Sequence, residues 1–372
     1  MSSTSRLFST GARHIYDTGD RLFTDAMREN VTYHCKNCNE YRQILSERGY
    51  SPDRIKSFDD LAELPFLTTL YLKRHKLTSL PDKKLIIKAT SSGTSGSRSL
   101  VGFDLKSLML GKDMVINVGL YHRLWSARPA NYLIFGYEIS KTNTTAVSKT
   151  AYGFTFFAPA AHREYAIKTE ADGFTLSWDS VLAALERYSA SPFPMRTIGF
   201  PSYTFFLLEH MEKNGIRFKM PKGSLLTVGG GWKQFYTQKP DKRRFYELAK
   251  EHLGIDENCI VEFFGAVEHP ILYTDCRCHH FHIPVYSRVI IRDPDTLIPV
   301  KNGEVGIVDL LTPMMHGCPL SSIVTDDLGV IHDEPCPCGA KSPWLEIIGR
   351  VGVSGIVTCA AGAETLLKGE NV

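Results

Sequence analysis

The chain reads as an α/β protein of packed subdomains, with a smaller β-rich part toward its end. Three observations predict this. Residues from about 15 to 80 carry apolar positions at helical spacing. From 85 to about 230, strand-like apolar runs alternate with helical ones, the pattern of α/β architecture. From 258 onward short strands dominate.

The elements follow in order. Pro52, Pro65 and Pro81 punctuate the helical beginning, and Ser57-Phe-Asp-Asp60 reads as a capping box. Cys35 and Cys38 fall in a helical pattern and read as packing or surface residues. A β-rich run from Leu85 ends in a loop of Thr, Ser and Gly, and Leu100-Val-Gly-Phe103 reads as a second strand. Tyr132-Leu-Ile-Phe-Gly136 is a buried-strand candidate, and Trp178 to Tyr188 an amphipathic helix. Thr197 to Pro201 is a short strand, with a helix from Ser202 to Asn214. Later strands are expected at Cys259–Phe264, Arg288–Arg292 and Gly306–Leu311. The expected organisation is a helical region 1–84, an α/β part 85–257, a β-rich part 258–350 and a short arm 351–372.

At 372 residues the chain can bury substantial cores. It is 43% hydrophobic and 22% charged, which is ordinary for a globular enzyme. A net charge of +3 is too small to argue for nucleic acid. No apolar run has the length of a membrane span or a signal-peptide core, so a cytoplasmic protein is expected. In that compartment clustered cysteines point to metal or catalysis rather than disulfides.

The Ser91, Ser92, Gly93, Thr94, Ser95, Gly96 loop packs hydroxyls and flexible backbone together. Main-chain N–H groups can turn toward an anion there, with hydroxyl donors around it. That is phosphate chemistry, although not a Walker loop: Arg98 takes the basic place and a strand follows. Leu226-Thr-Val-Gly229 runs into Gly230, Gly231, Trp232 and Lys233, a turn that lets backbone approach a flat ligand. Lys233 could meet a phosphate or carboxylate. Phe264, Gly265 and Glu268 close another strand; the ring could stack on a purine and the carboxylate hold Mg²⁺. Asp326 and Asp327 follow a strand, where a carboxylate could accept ribose hydroxyls. Arg350 ends the last clear strand and could meet phosphate or ribose.

The order is Ser/Thr/Gly loop, triple glycine, aromatic-Gly-x-x-Glu, Thr-x-Asp-Leu and Gly-Arg. It resembles the adenylate-forming superfamily, in particular the acyl-protein synthetases of bacterial luciferase-associated fatty-acid reductase complexes. Phenylacetate-CoA ligases are related. The resemblance covers roughly residues 50 to 360. It implies the adenylate-forming N-terminal fold, and activation of a carboxylic acid, fatty in these synthetases, by ATP with Mg²⁺. By this analogy Ser91–Arg98 handles phosphates, and Gly229, Gly230 and Phe264 flank adenine. Glu268 serves Mg²⁺, Asp327 binds ribose and Arg350 assists. The usual lysine near the loop's end is replaced around Arg98. Only 22 residues follow Arg350, too few for the usual large C-terminal domain. That short tail carries Cys359, which in this family pattern is the acyl-accepting thiol. A protein-bound thioester then implies an acyl reductase as partner. The alternative is an acyl- or aryl-CoA ligase of the phenylacetate type, and a third reading is a zinc-stabilised binding module without activity.

Cys276 and Cys278 precede His280 and His282, and Cys336 and Cys338 form a second Cys-x-Cys pair. Four thiolates can hold a tetrahedral, structural Zn²⁺, with His280 or His282 able to replace Cys278.

Overall fold

The computed structural model describes residues 1–90, 99–138, 146–170, 173–232 and 240–350. They divide into two compact units, 1–122 with 265–350, and 123–264. The expected boundaries followed changes in pattern near 84 and 257; the units divide near 122 and 264.

The first unit begins with α1 (Ser3–Phe8), α2 (Arg21–Asn37) and α3 (Asn39–Glu47). Cys38 is buried at the junction of α2 and α3, and Cys35 is half-exposed. The capping box before α4 (Asp59–Ala62) is half formed. The Asp60 carboxylate accepts from the Ser57 amide and hydroxyl, and no side chain caps in return. Then come β1 (Leu67–Thr68), α5 (Thr69–Arg74), the antiparallel hairpin β2 (Ile87–Thr90) and β3 (Leu100–Phe103), and α6 (Leu105–Tyr121). Asp104 caps α6 by accepting from the Ser107 amide.

The chain returns to this unit at Gly265 and continues through β10 (His269–Thr274). A six-stranded sheet follows, of β11 (Phe281–His282), β12 (Arg288–Arg292), β13 (Gly306–Leu311), β14 (Ser322–His332), β15 (Trp344–Arg350) and β1. Its order is β11-β15-β14-β13-β12, and β1 pairs in parallel with the start of β14. The β12 and β13 spans coincide with the sequence expectation, because each apolar run is closed by turn residues.

The second unit is the α/β part. Its four-stranded sheet has the order β6 (Gly173–Leu176), β5 (Ala160–Glu170), β4 (Ala130–Tyr137), β7 (Met195–Gly199). β4 is parallel to both β5 and β7. A parallel bridge from Arg196 to Leu225 leads on to β8 (Leu226–Gly229), which pairs in parallel with β9 (Ile260–Ala266). Helices α7 (Ala146–Phe154), α8 (Trp178–Ser189), α9 (Pro201–Lys213) and α10 (Lys242–Leu253) connect the strands. Leu133, Val181, Leu185, Leu208, Leu226 and Leu248 join one apolar core. Strand-helix-strand order with parallel pairing confirms the alternation read from the sequence. Among the described residues no helix is long and apolar enough to cross a membrane.

Candidate functional site

In open parallel sheets ligands bind beyond the carboxyl ends of the strands. In the second unit β8 ends there in Gly229 and Gly230. Gly230 holds φ at 84°, and a Cβ would lie 2.7 Å from the Phe200 ring, so only glycine fits. A Cβ on Gly229 would lie 3.1 Å from the Phe263 carbonyl oxygen. Phe263 and Phe264 point to opposite faces of β9, as strand alternation requires. Phe263 is buried, its ring 4.5 Å from that of Phe154, whereas Phe264 is half-exposed. The half-exposed ring is the one the sequence assigned to a base.

In the first unit Glu268 lies just before β10. Its Oε1 accepts from the Ser99 hydroxyl at 2.5 Å, and both residues are buried. Asp327 and Arg350 face each other across the β14–β15 ladder. The two acids do not follow the strand, as expected, but lie inside it. Opposite β13 the register steps from Ile307↔Leu328 to Asp309↔Val324. Opposite β15 it steps between Leu328 and Gly329. The acids thus occupy a bulged stretch, a device that re-aims side chains. Arg350 Nη2 lies 3.3 Å from Asp326 Oδ2, and its Nε lies 3.8 Å from Asp327 Oδ1. The first residue of α5, Thr69, donates its hydroxyl proton to Asp326 Oδ1 at 3.0 Å. Part-exposed pairs of this kind stabilise a fold by about 0–1 kcal/mol.

The cysteine motifs come together. Ligand atoms of Cys276, His282, Cys336 and Cys338 all lie within 4.8 Å of one another. His282 stands where Cys278 was expected. The cause is strand pairing: β11 runs beside β15 and brings His282 opposite Trp344. Cys278 sits in the turn closed by the His279 amide on the Cys276 carbonyl, and donates its own amide to Cys276 Sγ. His282 Nδ1–H donates to the Ser342 carbonyl at 2.9 Å, leaving Nε2 toward Cys338 Sγ at 3.3 Å. Cys276 Sγ and Cys336 Sγ are 3.7 Å apart. A tetrahedral ion with sulfur bonds of about 2.3 Å needs sulfurs about 3.8 Å apart, so the donor set fits such an ion. His280 is not one of the four, although its Nδ1 lies 3.3 Å from Cys336 Sγ and its ring is stacked on Trp344.

The loop residues Ser91, Ser92, Gly93, Thr94, Ser95, Gly96 and Arg98 lie outside the described residues, as do Lys233 and Cys359. Sequence reasoning missed Ser99 and the Asp104–His316 pair. His316 Nδ1 lies 2.9 Å from Asp104 Oδ2. Burial raises the Asp104 carboxyl, but hydrogen bonds from His316 and Ser107 outweigh it and hold it well below the carboxylate range. Only the capping half of that cluster, Asp104 three residues before Ser107, had a local signal.

A family model described as acyl-protein synthetase, LuxE, matches residues 7–367. A long-chain-fatty-acid–luciferin-component ligase of Aliivibrio fischeri is 25% identical over 348 residues, covering 92% of this chain and 88% of the relative. Its counterpart in Vibrio harveyi is 25% identical, covering 91% and 86%. A phenylacetate-coenzyme A ligase of Thermus thermophilus is 23% identical, covering 88% and 69%. Among solved structures, an open conformation of 2-hydroxyisobutyryl-CoA ligase with 2-HIB-AMP and CoA aligns at a TM-score of 0.68 and 16% identity. It covers 94% of this chain and 77% of that one, a likeness of fold.

Proposed function

Since the chain belongs to the LuxE family of acyl-protein synthetases, AMP-forming ligases, we propose that it activates a fatty acid with ATP and carries the acyl group on Cys359 to an acyl reductase. The family match over residues 7–367 carries this reading. The names of the two luciferin-component relatives support a long-chain acid as substrate.

The proposed chemistry runs in two steps. A carboxylate oxygen of the acid attacks the α-phosphorus of ATP. The bond from that phosphorus to the bridging oxygen breaks, and pyrophosphate leaves. The Cys359 thiolate then attacks the acyl carbon, the bond to the AMP oxygen breaks, and AMP departs. The loop Ser91–Gly96 and Arg98 would hold the phosphates, and Lys233 a phosphate or the acid. Gly229, Gly230, Phe264 and Gly265 would flank the base. Asp327 would accept the ribose hydroxyls, with Arg350 beside it. Glu268 would hold Mg²⁺, which neutralises charge on the phosphates when bound. Cys276, His282, Cys336 and Cys338 would hold a structural Zn²⁺ that ties two loops of the first unit, and no step passes through it. The second reading is a CoA ligase, favoured by the likeness to a phenylacetate-coenzyme A ligase.

Intact-protein mass after incubation with ATP, Mg²⁺ and a panel of acids separates the two. The expected result is an acyl-sized, hydroxylamine-labile adduct on the wild type and none on Cys359→Ala. AMP release that needs CoA and survives Cys359→Ala would select the ligase.

A further inference from the structure

We propose that Ser99 is a positioning residue that sets the Glu268 carboxylate for a divalent cation. The inference deepens the proposed function and rests on its reading of Glu268. Ser99 is 0% exposed and Glu268 5%. Their 2.5 Å hydrogen bond joins residues 169 apart in the chain. Ser99 directly follows the 91–98 loop and precedes β3; Glu268 directly precedes β10. One hydroxyl therefore links the end of the loop assigned to phosphate with the carboxylate assigned to the metal.

The physical case concerns orientation and charge. The terminal torsion of a glutamate is broad, so an unrestrained carboxylate samples many planes. A proton donated to Oε1 fixes the plane and leaves Oε2 to face the cation. A neutral hydroxyl does this without cancelling the carboxylate's charge. A lysine in its place would compete with the metal for it. Preorganised ligands hold a cation better than ligands ordered on arrival.

The test uses full-length wild type, Ser99→Ala, Ser99→Cys, Ser99→Thr and Ser107→Ala. Ser107 is another fully buried serine, bonded instead to Asp104 and the His316 amide. Acid-dependent ATP–pyrophosphate exchange is followed against Mg²⁺. Binding of Mn²⁺ with a non-hydrolysable ATP analogue is followed by electron paramagnetic resonance of the free ion. Ser99→Ala should raise the Mg²⁺ half-saturation and the Mn²⁺ Kd about ten- to a hundredfold, the scale of a lost hydrogen bond to a charged group. Ser99→Cys, which keeps the volume with a weak donor, should shift the same way if the alanine variant fails to fold. Ser99→Thr should restore both values, and Ser107→Ala should lower the melting temperature with neither moved. A folded Ser99→Ala or Ser99→Cys with wild-type metal dependence overturns the inference while the function stands. Wild type that neither exchanges pyrophosphate nor binds Mn²⁺ with nucleotide overturns both.

Discussion

The Arg292 guanidinium lies in the first unit at 3% exposure, against an Asp309 carboxylate at 0%. Its Nε donates to Asp309 Oδ2 at 2.9 Å, Nη1 to the Leu297 carbonyl and Nη2 to the Ala62 carbonyl. The Phe66 ring lies 4.7 Å from its carbon. The Ser322 hydroxyl donates to the other carboxylate oxygen at 2.9 Å. Burial pushes the Asp309 carboxyl up, against the opposing pull of Arg292 and Ser322. Taking two charges out of water is costly, and their attraction offsets this only when every donor and acceptor is met. Removing one partner is therefore worse than removing both. Asp309→Ala should destabilise by about 3–5 kcal/mol, since it strands a buried cation, whereas joint replacement by apolar residues of similar volume should cost far less. Urea midpoints at constant m-value read this directly. A double variant as unstable as Asp309→Ala would show that packing, not charge, decides here.

At the scale of elements, the two loops of the cysteine cluster are held by more than their cysteines. Arg277 Nη2 donates to the Pro337 carbonyl, joining the two loops, and His279 Nδ1 meets Asp275 at 2.8 Å. At the start of β15 the Trp344 ring is stacked between His280 and His332, at 3.7 and 3.9 Å. The indole thus reports on the loop that carries Cys276 and His282. The purified protein should contain about one zinc per chain. Chelation should change tryptophan emission in the wild type and much less in Trp344→Phe, with elemental analysis following the metal. Protein without metal, and with emission indifferent to chelator, would remove the proposed centre. These loops also mark how far the sequence could be read. The cysteine spacing was local and therefore visible. Which histidine joins them depends on β11 pairing with β15, between positions some sixty residues apart. The Ser99–Glu268 bond has no local trace for the same reason. The bulge around Asp326 and Asp327 was hidden too: a strand pattern states its period, not where the ladder slips.

At the scale of the molecule, the first unit is assembled from two separated stretches of the chain, 1–122 and 265–350, down to β1 beside β14. Boundaries placed by changes in local pattern could not anticipate that. The same unit encloses two histidines with no access to water. His34 is 0% exposed, with Nδ1 on the Ser79 hydroxyl and Nε2–H on the Met315 carbonyl. His269 is also 0% exposed, with Nε2 on the Ser287 hydroxyl. Burial lowers both imidazoles to about 3. Below the unfolded value of about 6.5 the unfolded chain takes up protons that the native state refuses. Each site's stabilisation is therefore complete above about 6.5 and is lost as pH falls toward 3. Between pH 6.5 and 5 each should cost about 1–2 kcal/mol, less than the full value of about 1.36 kcal/mol per unit because the unfolded imidazole is only half protonated where that range begins. The folding free energy from urea melts should accordingly fall steeply over that range. Other acid-sensitive groups, the cysteine cluster among them, contribute to the same slope, so the total alone identifies nothing. His34→Gln isolates one imidazole, because an amide can keep both hydrogen bonds without titrating. Its slope below pH 6 should be smaller than the wild type's by about one proton. An unchanged slope would mean that His34 is protonated alike in both states, and that acid opens this unit somewhere other than its interior.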